Sequence, residues 1–210
     1  MDAAAFLSYL LTQPDYRQQI VHVERIPRKD ATPGKLEERL DPRLERCLEA
    51  QGISDLYSHQ AQALNAVFSG KNVIVATPSA SGKTLVYHLA TLRSLLEDKN
   101  SRALYLFPTK ALAQDQLRSL RQMVSLLSSS GPGNAVTSLP DSTGSSSTLR
   151  APTRRDMAIS AAAIATFDGD TPQPERAGIR TRARVVLTNP DMLHLGILPN
   201  HQSWSALFRN

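Results

Sequence analysis

The fold class follows from one stretch, Val73-Ile74-Val75-Ala76-Thr77-Pro78-Ser79-Ala80-Ser81-Gly82-Lys83-Thr84-Leu85. The apolar, β-branched run at 73–76 predicts a short buried parallel strand, and residues 84–96 carry apolar side chains at helical spacing. Small residues fill the gap between them, and a phosphate-binding loop occurs at that place, between a strand and a helix. Thr77 replaces the first glycine of the G-x-x-x-x-G-K-[ST] pattern, so the match is incomplete. An ordinary helix start with a surface lysine is the alternative.

The chemistry expected of this loop is phosphate binding. Its backbone N–H groups would surround a β-phosphate, and the helix N-terminus would add partial positive charge. Lys83, the candidate catalytic residue, would reach the β and γ phosphates, and the Thr84 hydroxyl would bind Mg²⁺. Gly82 avoids a Cβ that would collide with the phosphate. The candidate ATP-binding residues of the loop are Thr77, Pro78, Ser79, Ala80, Ser81, Gly82, Lys83 and Thr84.

Outward from the loop, the sequence alternates between strands and helices. Further strands are predicted at 103–107, 161–167 and 184–188, with helices between them. This alternation predicts an α/β fold with a parallel sheet. Residues 1–52 are predicted to form a helical N-terminal extension with helices at 3–11 and 35–51, and residues 53–210 a nucleotide-binding domain. Within that domain, the Ser-, Gly- and Pro-rich segment 128–153 is predicted to be a mobile insertion.

Composition narrows the class of protein. With 210 residues, 41% hydrophobic and 20% charged, the chain has enough apolar side chains for one core, which excludes wholesale disorder. The net charge of +5 favours an anionic partner. A single cysteine, Cys47, excludes a disulfide framework. The N-terminus lacks the basic start of a secretory signal and the chain lacks a membrane-length apolar run, so we expect a protein of the cytoplasm, or of the nucleus in a eukaryote.

Five blocks in order resemble helicase motifs. The loop is similar to motif I of superfamily 2 helicases. Leu56-Tyr57-Ser58-His59-Gln60 resembles the upstream Q-type motif, and Phe107-Pro108-Thr109-Lys110-Ala111-Leu112-Ala113-Gln114-Asp115-Gln116 resembles motif Ia. Phe167-Asp168-Gly169-Asp170-Thr171-Pro172 lies where motif Ib is expected, and Leu187-Thr188-Asn189-Pro190-Asp191-Met192-Leu193-His194 resembles motif Ic. Together they are similar to the MrfA/YprA-like branch of the DEAD/DEAH-box helicases.

This resemblance implies a RecA-like P-loop NTPase lobe from an ATP-dependent DNA helicase that moves 3′ to 5′ and is linked to DNA repair. It implies ATP and Mg²⁺ as cofactors and single-stranded DNA, or DNA with a 3′ tail, as partner. Gln60 would contact the adenine edge. Backbone N–H groups that open helices after strands would hold sugar-phosphate oxygens without reading bases. The candidate nucleic-acid-binding residues are Pro108, Thr109, Lys110, Gly169, Thr188, Asn189 and Pro190.

One family motif is missing from these residues. Helicases of this kind use a D-E-x-H motif, in which the Asp holds Mg²⁺ through water and the Glu activates the attacking water. No such tetrapeptide occurs here. We therefore expect the front part of a helicase, incomplete at its C-terminus, without a second RecA-like lobe and nearly inactive alone. A non-catalytic nucleotide- or DNA-binding product and a small P-loop kinase remain as alternatives.

Overall fold

The computed structural model describes residues 2–27, 30–129 and 159–209, which divide into two compact units, Met1–Ala31 and Thr32–Asn210. The first unit contains helix α1, Ala3–Leu11, as predicted. Its N-terminus is capped by Asp2, whose carboxylate accepts a hydrogen bond from the backbone N–H of Ala4 at 3.1 Å. None of the residues of α1 is buried.

The second unit contains the remaining elements, in which helices alternate with strands from residue 83 to residue 192. They are β1 (Pro33–Gly34), α2 (Pro42–Ala50), β2 (Leu56–Tyr57), α3 (Ser58–Phe68), α4 (Lys83–Glu97), β3 (Ala103–Leu106), α5 (Lys110–Ser129), a 3₁₀ turn (Ala161–Ala163), β4 (Ile164–Thr166), α6 (Gln173–Arg182), β5 (Val185–Thr188), α7 (Pro190–Met192), a π turn (Leu193–Ile197), a second 3₁₀ segment (Leu198–Trp204) and α8 (Ser205–Phe208). The predicted helices and strands from residue 84 onward all have counterparts here.

A parallel sheet lies at the centre of the second unit. Its strand order is β3-β5-β4, and all four residues of β5 are buried. Leu106 pairs with Thr188 across one ladder, and Thr166 pairs with Leu187 across the other. The three strands therefore end at the same edge of the sheet. The predicted α/β class with a parallel sheet is confirmed.

The prediction of a strand at 73–76 is wrong. No strand is assigned there, and none of the described strand ladders includes these residues. Val73 and Val75 pack partly against the core, whereas Ile74 is 95% exposed. A strand needs a neighbour for its backbone N–H and C=O groups, and an apolar run predicts the side chains' burial without supplying that neighbour.

The predicted helix at 35–51 is shorter in the structure. Helix α2 begins at Pro42, and the Asp41 carboxylate caps it by accepting a hydrogen bond from the Arg43 backbone N–H at 2.9 Å. Leu44, Cys47 and Leu48 of α2 join the core that also contains α4 and α5. The two compact units meet between Ala31 and Thr32, and the domain boundary expected at 52/53 stays a prediction. The predicted insertion at 128–153 lies, from residue 130 on, outside the described residues.

One buried polar side chain has a measurable consequence for stability. His88 of α4 is 1% exposed, lies edge-on to Tyr87 and stacks on Tyr105, and its Nε2 is among the buried polar atoms without a hydrogen-bond partner in the described part of the chain. Burial lowers the pKa of His88 to about 4 from the usual 6.5. The unfolded chain therefore takes up this proton more readily than the folded chain, so stability falls as the pH drops below 6.5.

Replacing His88 by phenylalanine should remove this part of the pH dependence. At about 1.4 kcal/mol per pKa unit, we expect the wild type to lose roughly 2 kcal/mol of unfolding free energy between pH 7 and pH 5 through this group. The measurement is urea denaturation of wild type, His88→Phe and the control His201→Phe at a series of pH values. Equal pH slopes for wild type and His88→Phe would contradict the assignment.

Candidate functional site

The loop between residues 77 and 83 closes on itself as a phosphate loop would. Ala80 and Gly82 both have positive φ values, 59° and 78°, and Gly82 is the N-cap of α4. The Thr77 Oγ1 and Ser81 Oγ atoms are 2.6 Å apart, so a hydroxyl hydrogen bond joins the two ends of the loop. Gly82 suits its position because its left-handed backbone strains residues with a Cβ. Successive residues in such conformations turn backbone N–H groups toward a common concavity.

Lys83 lies inside this loop. Its Nζ donates hydrogen bonds to the backbone oxygens of Thr77 at 2.8 Å and Pro78 at 2.6 Å, and it lies 3.4 Å from Ser81 Oγ. These acceptors place one positive charge where the predicted triphosphate would lie. Phosphate oxygens would replace the backbone oxygens as partners of the ammonium group when a nucleotide binds.

Gln60 has both ends of its amide occupied by protein in this structure. It is 3% exposed; its Oε1 accepts from the Tyr57 backbone N–H at 2.9 Å, and its Nε2 donates to the Gly82 backbone oxygen at 3.0 Å. A Cβ on Gly82 would lie 2.4 Å from Gln60 Nε2, so only glycine permits this approach. The predicted contact of Gln60 with adenine would require these hydrogen bonds to change, and it stays a prediction.

Thr84 fits the role of a magnesium ligand in combination with phosphate oxygens. It lies in the first turn of α4, and its Oγ1 is 3.2 Å from the hydroxyl of Tyr87. No cluster of three metal-binding side chains occurs among the described residues. Mg²⁺ commonly takes few protein ligands and completes its shell with water and substrate phosphates. The Thr84 hydroxyl would therefore supply one protein ligand beside phosphate oxygens and water.

The candidate nucleic-acid residues come together at the carboxyl edge of the sheet. The stretch 108–110 follows β3, Gly169 follows β4, and 188–190 closes β5, and the ladder register places these strand ends side by side. The Phe107 N–H donates to the Thr188 backbone oxygen at 2.9 Å, which joins the first and third of these segments. The sheet thus assembles a continuous surface from segments about 80 residues apart in the chain.

Three polar side chains at this edge already have partners within the protein. Thr109 Oγ1 accepts from the Leu112 N–H at 3.2 Å, and Asn189 Oδ1 accepts from the Met192 N–H at 2.7 Å, so both cap their helices. Thr188 is 1% exposed, and its hydroxyl donates to the Phe167 backbone oxygen at 2.6 Å. The Thr188 side chain therefore links two strands of the sheet and does not reach the surface. The predicted phosphate contacts of this residue would have to use its backbone.

Lys110 makes an ion pair across the edge. Its Nζ lies 2.6 Å from Asp170 Oδ2, and both side chains are well exposed. The hydrogen bond to Asp170 raises the pKa of Lys110. The two residues line a cavity of about 290 Å³ that also contains Asp168 and Glu175. Lys110, the one lysine among the predicted nucleic-acid-binding residues, is thus paired with a carboxylate.

The turn after β4 is held by residues that the sequence did not single out as site residues. Asp168 is 7% exposed, and its Oδ1 accepts from the Asp170 N–H at 2.9 Å. The Arg176 guanidinium donates to the backbone oxygens of Thr171 at 2.9 Å and Asp168 at 3.3 Å, and it lies over the Phe167 ring. Phe167 in turn meets the buried Trp204 edge-on at 4.7 Å. Arg176 and the packed rings of Phe167 and Trp204 therefore hold the turn that bears Gly169 in place.

Comparison with known proteins bears on this geometry. The family model "DEAD/DEAH box helicase" matches residues 57–209. The uncharacterized ATP-dependent helicase YprA of Bacillus subtilis is 35% identical over 204 residues, which is 97% of this chain and 23% of that protein. The ATP-dependent helicase HRQ1 of Saccharomyces cerevisiae is 39% identical over 189 residues, 90% of this chain and 15% of that protein. This chain therefore spans less than a quarter of either relative.

Among solved structures, the DUF1998 helicase MrfA bound to DNA and AMPPNP is similar over 100% of this chain and 25% of that one, with a TM-score of 0.74 and 34% identity. The described α/β sheet and helices thus match a RecA-like helicase lobe. No described helix has both the length and the apolar composition to cross a membrane. The predicted fold and family are confirmed, and the kinase alternative gains no support: the chain belongs to the DEAD/DEAH box helicase family.

Proposed function

We propose that this chain is the ATP- and DNA-binding front part of a DNA helicase. The loop at 77–84, with Lys83, would hold the triphosphate and, through Thr84, the Mg²⁺ ion. The sheet edge at Pro108, Thr109, Lys110, Gly169, Thr188, Asn189 and Pro190 would hold the backbone of single-stranded DNA. Movement from 3′ to 5′, preference for a 3′ tail and a role in DNA repair belong to the same proposal and follow from the resemblance alone. A location in the cytoplasm or the nucleus also belongs to the proposal.

The observation that supports the proposal most directly is a bridge between the two surfaces. The Tyr87 hydroxyl lies 3.2 Å from Thr84 Oγ1 and donates to Gln116 Oε1 of α5 at 2.9 Å. Helix α5 begins at Lys110 and so starts at the nucleic-acid edge. A change at Thr84 on nucleotide binding therefore has a short polar path to the helix that would hold DNA, as a translocating motor requires.

A non-catalytic binding role is the second candidate, and the absence of a D-E-x-H motif from these 210 residues favours it for the chain as it stands. The two candidates differ in the turnover of a longer protein that contains this chain: the first predicts ATP hydrolysis stimulated by single-stranded DNA there, and the second predicts none. ATP hydrolysis by this chain should be close to background both with and without single-stranded DNA. Substantial DNA-stimulated turnover would show that the reaction does not depend on the missing motif.

Replacing Lys83 by alanine should weaken ATP binding about 10- to 100-fold, because the phosphates lose a charged hydrogen-bond donor. Isothermal titration or fluorescence competition with ATP measures this change. Lys71→Ala, an exposed lysine outside the loop, serves as the matched control and should bind ATP like the wild type. Equal affinities of all three proteins would argue against the loop as the triphosphate site.

Replacing Asp170 by asparagine should tighten the binding of single-stranded DNA. The variant frees Lys110 from its carboxylate partner and removes a negative charge from the edge, so we expect about a two- to fivefold gain in affinity at low salt. Fluorescence anisotropy of a labelled oligonucleotide at several salt concentrations measures both affinity and salt dependence. Asp115→Asn, which breaks the exposed pair with Arg118 elsewhere on α5, is the control. Weaker DNA binding by Asp170→Asn would mean that Asp170 holds Lys110 in its binding position.

A further inference from the structure

Two successive side chains of α3 hold two successive backbone oxygens of the loop. His59 Nε2 lies 2.9 Å from the Ser81 oxygen, and Gln60 Nε2 donates to the Gly82 oxygen at 3.0 Å. A carbonyl oxygen only accepts hydrogen bonds, so His59 must carry a proton on Nε2. The contact is not a local one, because His59 and Ser81 are 22 residues apart.

These two hydrogen bonds fix the direction of the loop's amides. A trans peptide is planar, with its C=O and N–H pointing in opposite directions, and the described chain contains no cis peptide. When the Ser81 oxygen points toward His59, the Gly82 N–H must therefore point away from α3. The Gly82 oxygen accepts from the Leu85 N–H of α4 at 3.1 Å as well as from Gln60, so the start of α4 turns the Lys83 N–H away without depending on Gln60 alone. Both amides then face the side of the loop on which an anion would bind.

We propose that His59 is a positioning residue of the triphosphate site, and this inference rests on the proposed binding of ATP by the loop. Its ring orients the Ser81–Gly82 peptide so that the Gly82 N–H is ready to meet a phosphate oxygen before nucleotide arrives. The Tyr57 ring stacks on His59 with centroids 5.9 Å apart and so limits the rotation of the imidazole. Preorganised donors bind more tightly because their ordering is complete before the ligand arrives.

This role differs from that expected of the neighbouring Gln60. The resemblance gives Gln60 the adenine edge, whereas His59 acts through the backbone on the phosphate end of the nucleotide. The two roles are separable by ligand. Tripolyphosphate carries the phosphate chain without a base, so a residue that orients the phosphate-binding amides affects tripolyphosphate and ATP alike. A residue that contacts the base affects ATP alone.

The test compares variants that keep or lose a donor at the position of His59 Nε2. Glutamine places an amide N–H at a similar reach, asparagine carries the same amide on a shorter side chain, and leucine has no donor. His201→Leu is the matched control, because the exposed His201 also lies against a backbone oxygen, that of Leu198 at 3.1 Å, outside the loop. The readouts are the dissociation constants of ATP and tripolyphosphate and the melting temperature of each protein.

We expect His59→Leu and His59→Asn to weaken the binding of both ATP and tripolyphosphate about tenfold, because the Ser81–Gly82 peptide loses the part-buried hydrogen bond that orients it. His59→Gln should bind both within about threefold of the wild type, and His201→Leu should match the wild type. Melting temperatures should not follow this ranking. If His59→Leu fails to fold, the comparison of His59→Asn with His59→Gln decides the question.

Three results would overturn the inference while leaving the ATP site in place. These are wild-type affinity in His59→Asn and His59→Leu, a loss confined to ATP with tripolyphosphate unaffected, or a loss in His59→Gln as large as in His59→Asn. Failure of the wild type itself to bind either ligand is a distinct outcome, because it would refute the proposed nucleotide site and the role of His59 with it.

Discussion

The parallel register of β3, β5 and β4 is the constraint on which the sheet edge depends. Because parallel strands end at a common edge, Leu106, Thr166 and Thr188 bring three distant loops into one line. Helices α5 and α7 then begin at that edge, capped by Thr109 and Asn189. A shift of one residue in this register would exchange the side chains on the two covered faces of β5 and separate the loops. The predicted binding surface therefore depends on how the strands pair as well as on which residues form it.

Hydrogen bonds to backbone oxygens hold the loop that precedes α4. Most hydrogen bonds of the loop use backbone oxygens, from Lys83 on one side and from α3 on the other. With the oxygens occupied, the N–H groups are the backbone groups left for an anion. Phosphate binding therefore does not require the peptides of the loop to reorient first, so less of the binding free energy is lost to ordering the loop.

The sequence predicted the helices and strands after residue 84, because their apolar spacing is strong and local. The reason predicted for Gly82 is that a Cβ would collide with the phosphate, and the structure adds another, its left-handed backbone. The sequence did not predict the pairing of Lys110 with Asp170 or the contact of His59 with Ser81, which join residues 60 and 22 positions apart. Such contacts depend on tertiary placement, for which a single sequence carries no signal. The strand predicted at 73–76 is wrong for a related reason. The β-branched residues around the exposed Ile74 indicate a strand, but strand formation depends on a partner elsewhere in the chain.

The exposure of Ile74 has a practical consequence for handling the protein. Residues 73–76 present a β-branched, uncharged run that belongs to none of the described ladders, and we expect such a run to favour edge-to-edge association between copies at high concentration. A lysine at position 74 would place a charge in that run without removing a buried side chain. Such a change is the natural first choice for keeping samples monodisperse at the concentrations that calorimetry and crystallisation demand.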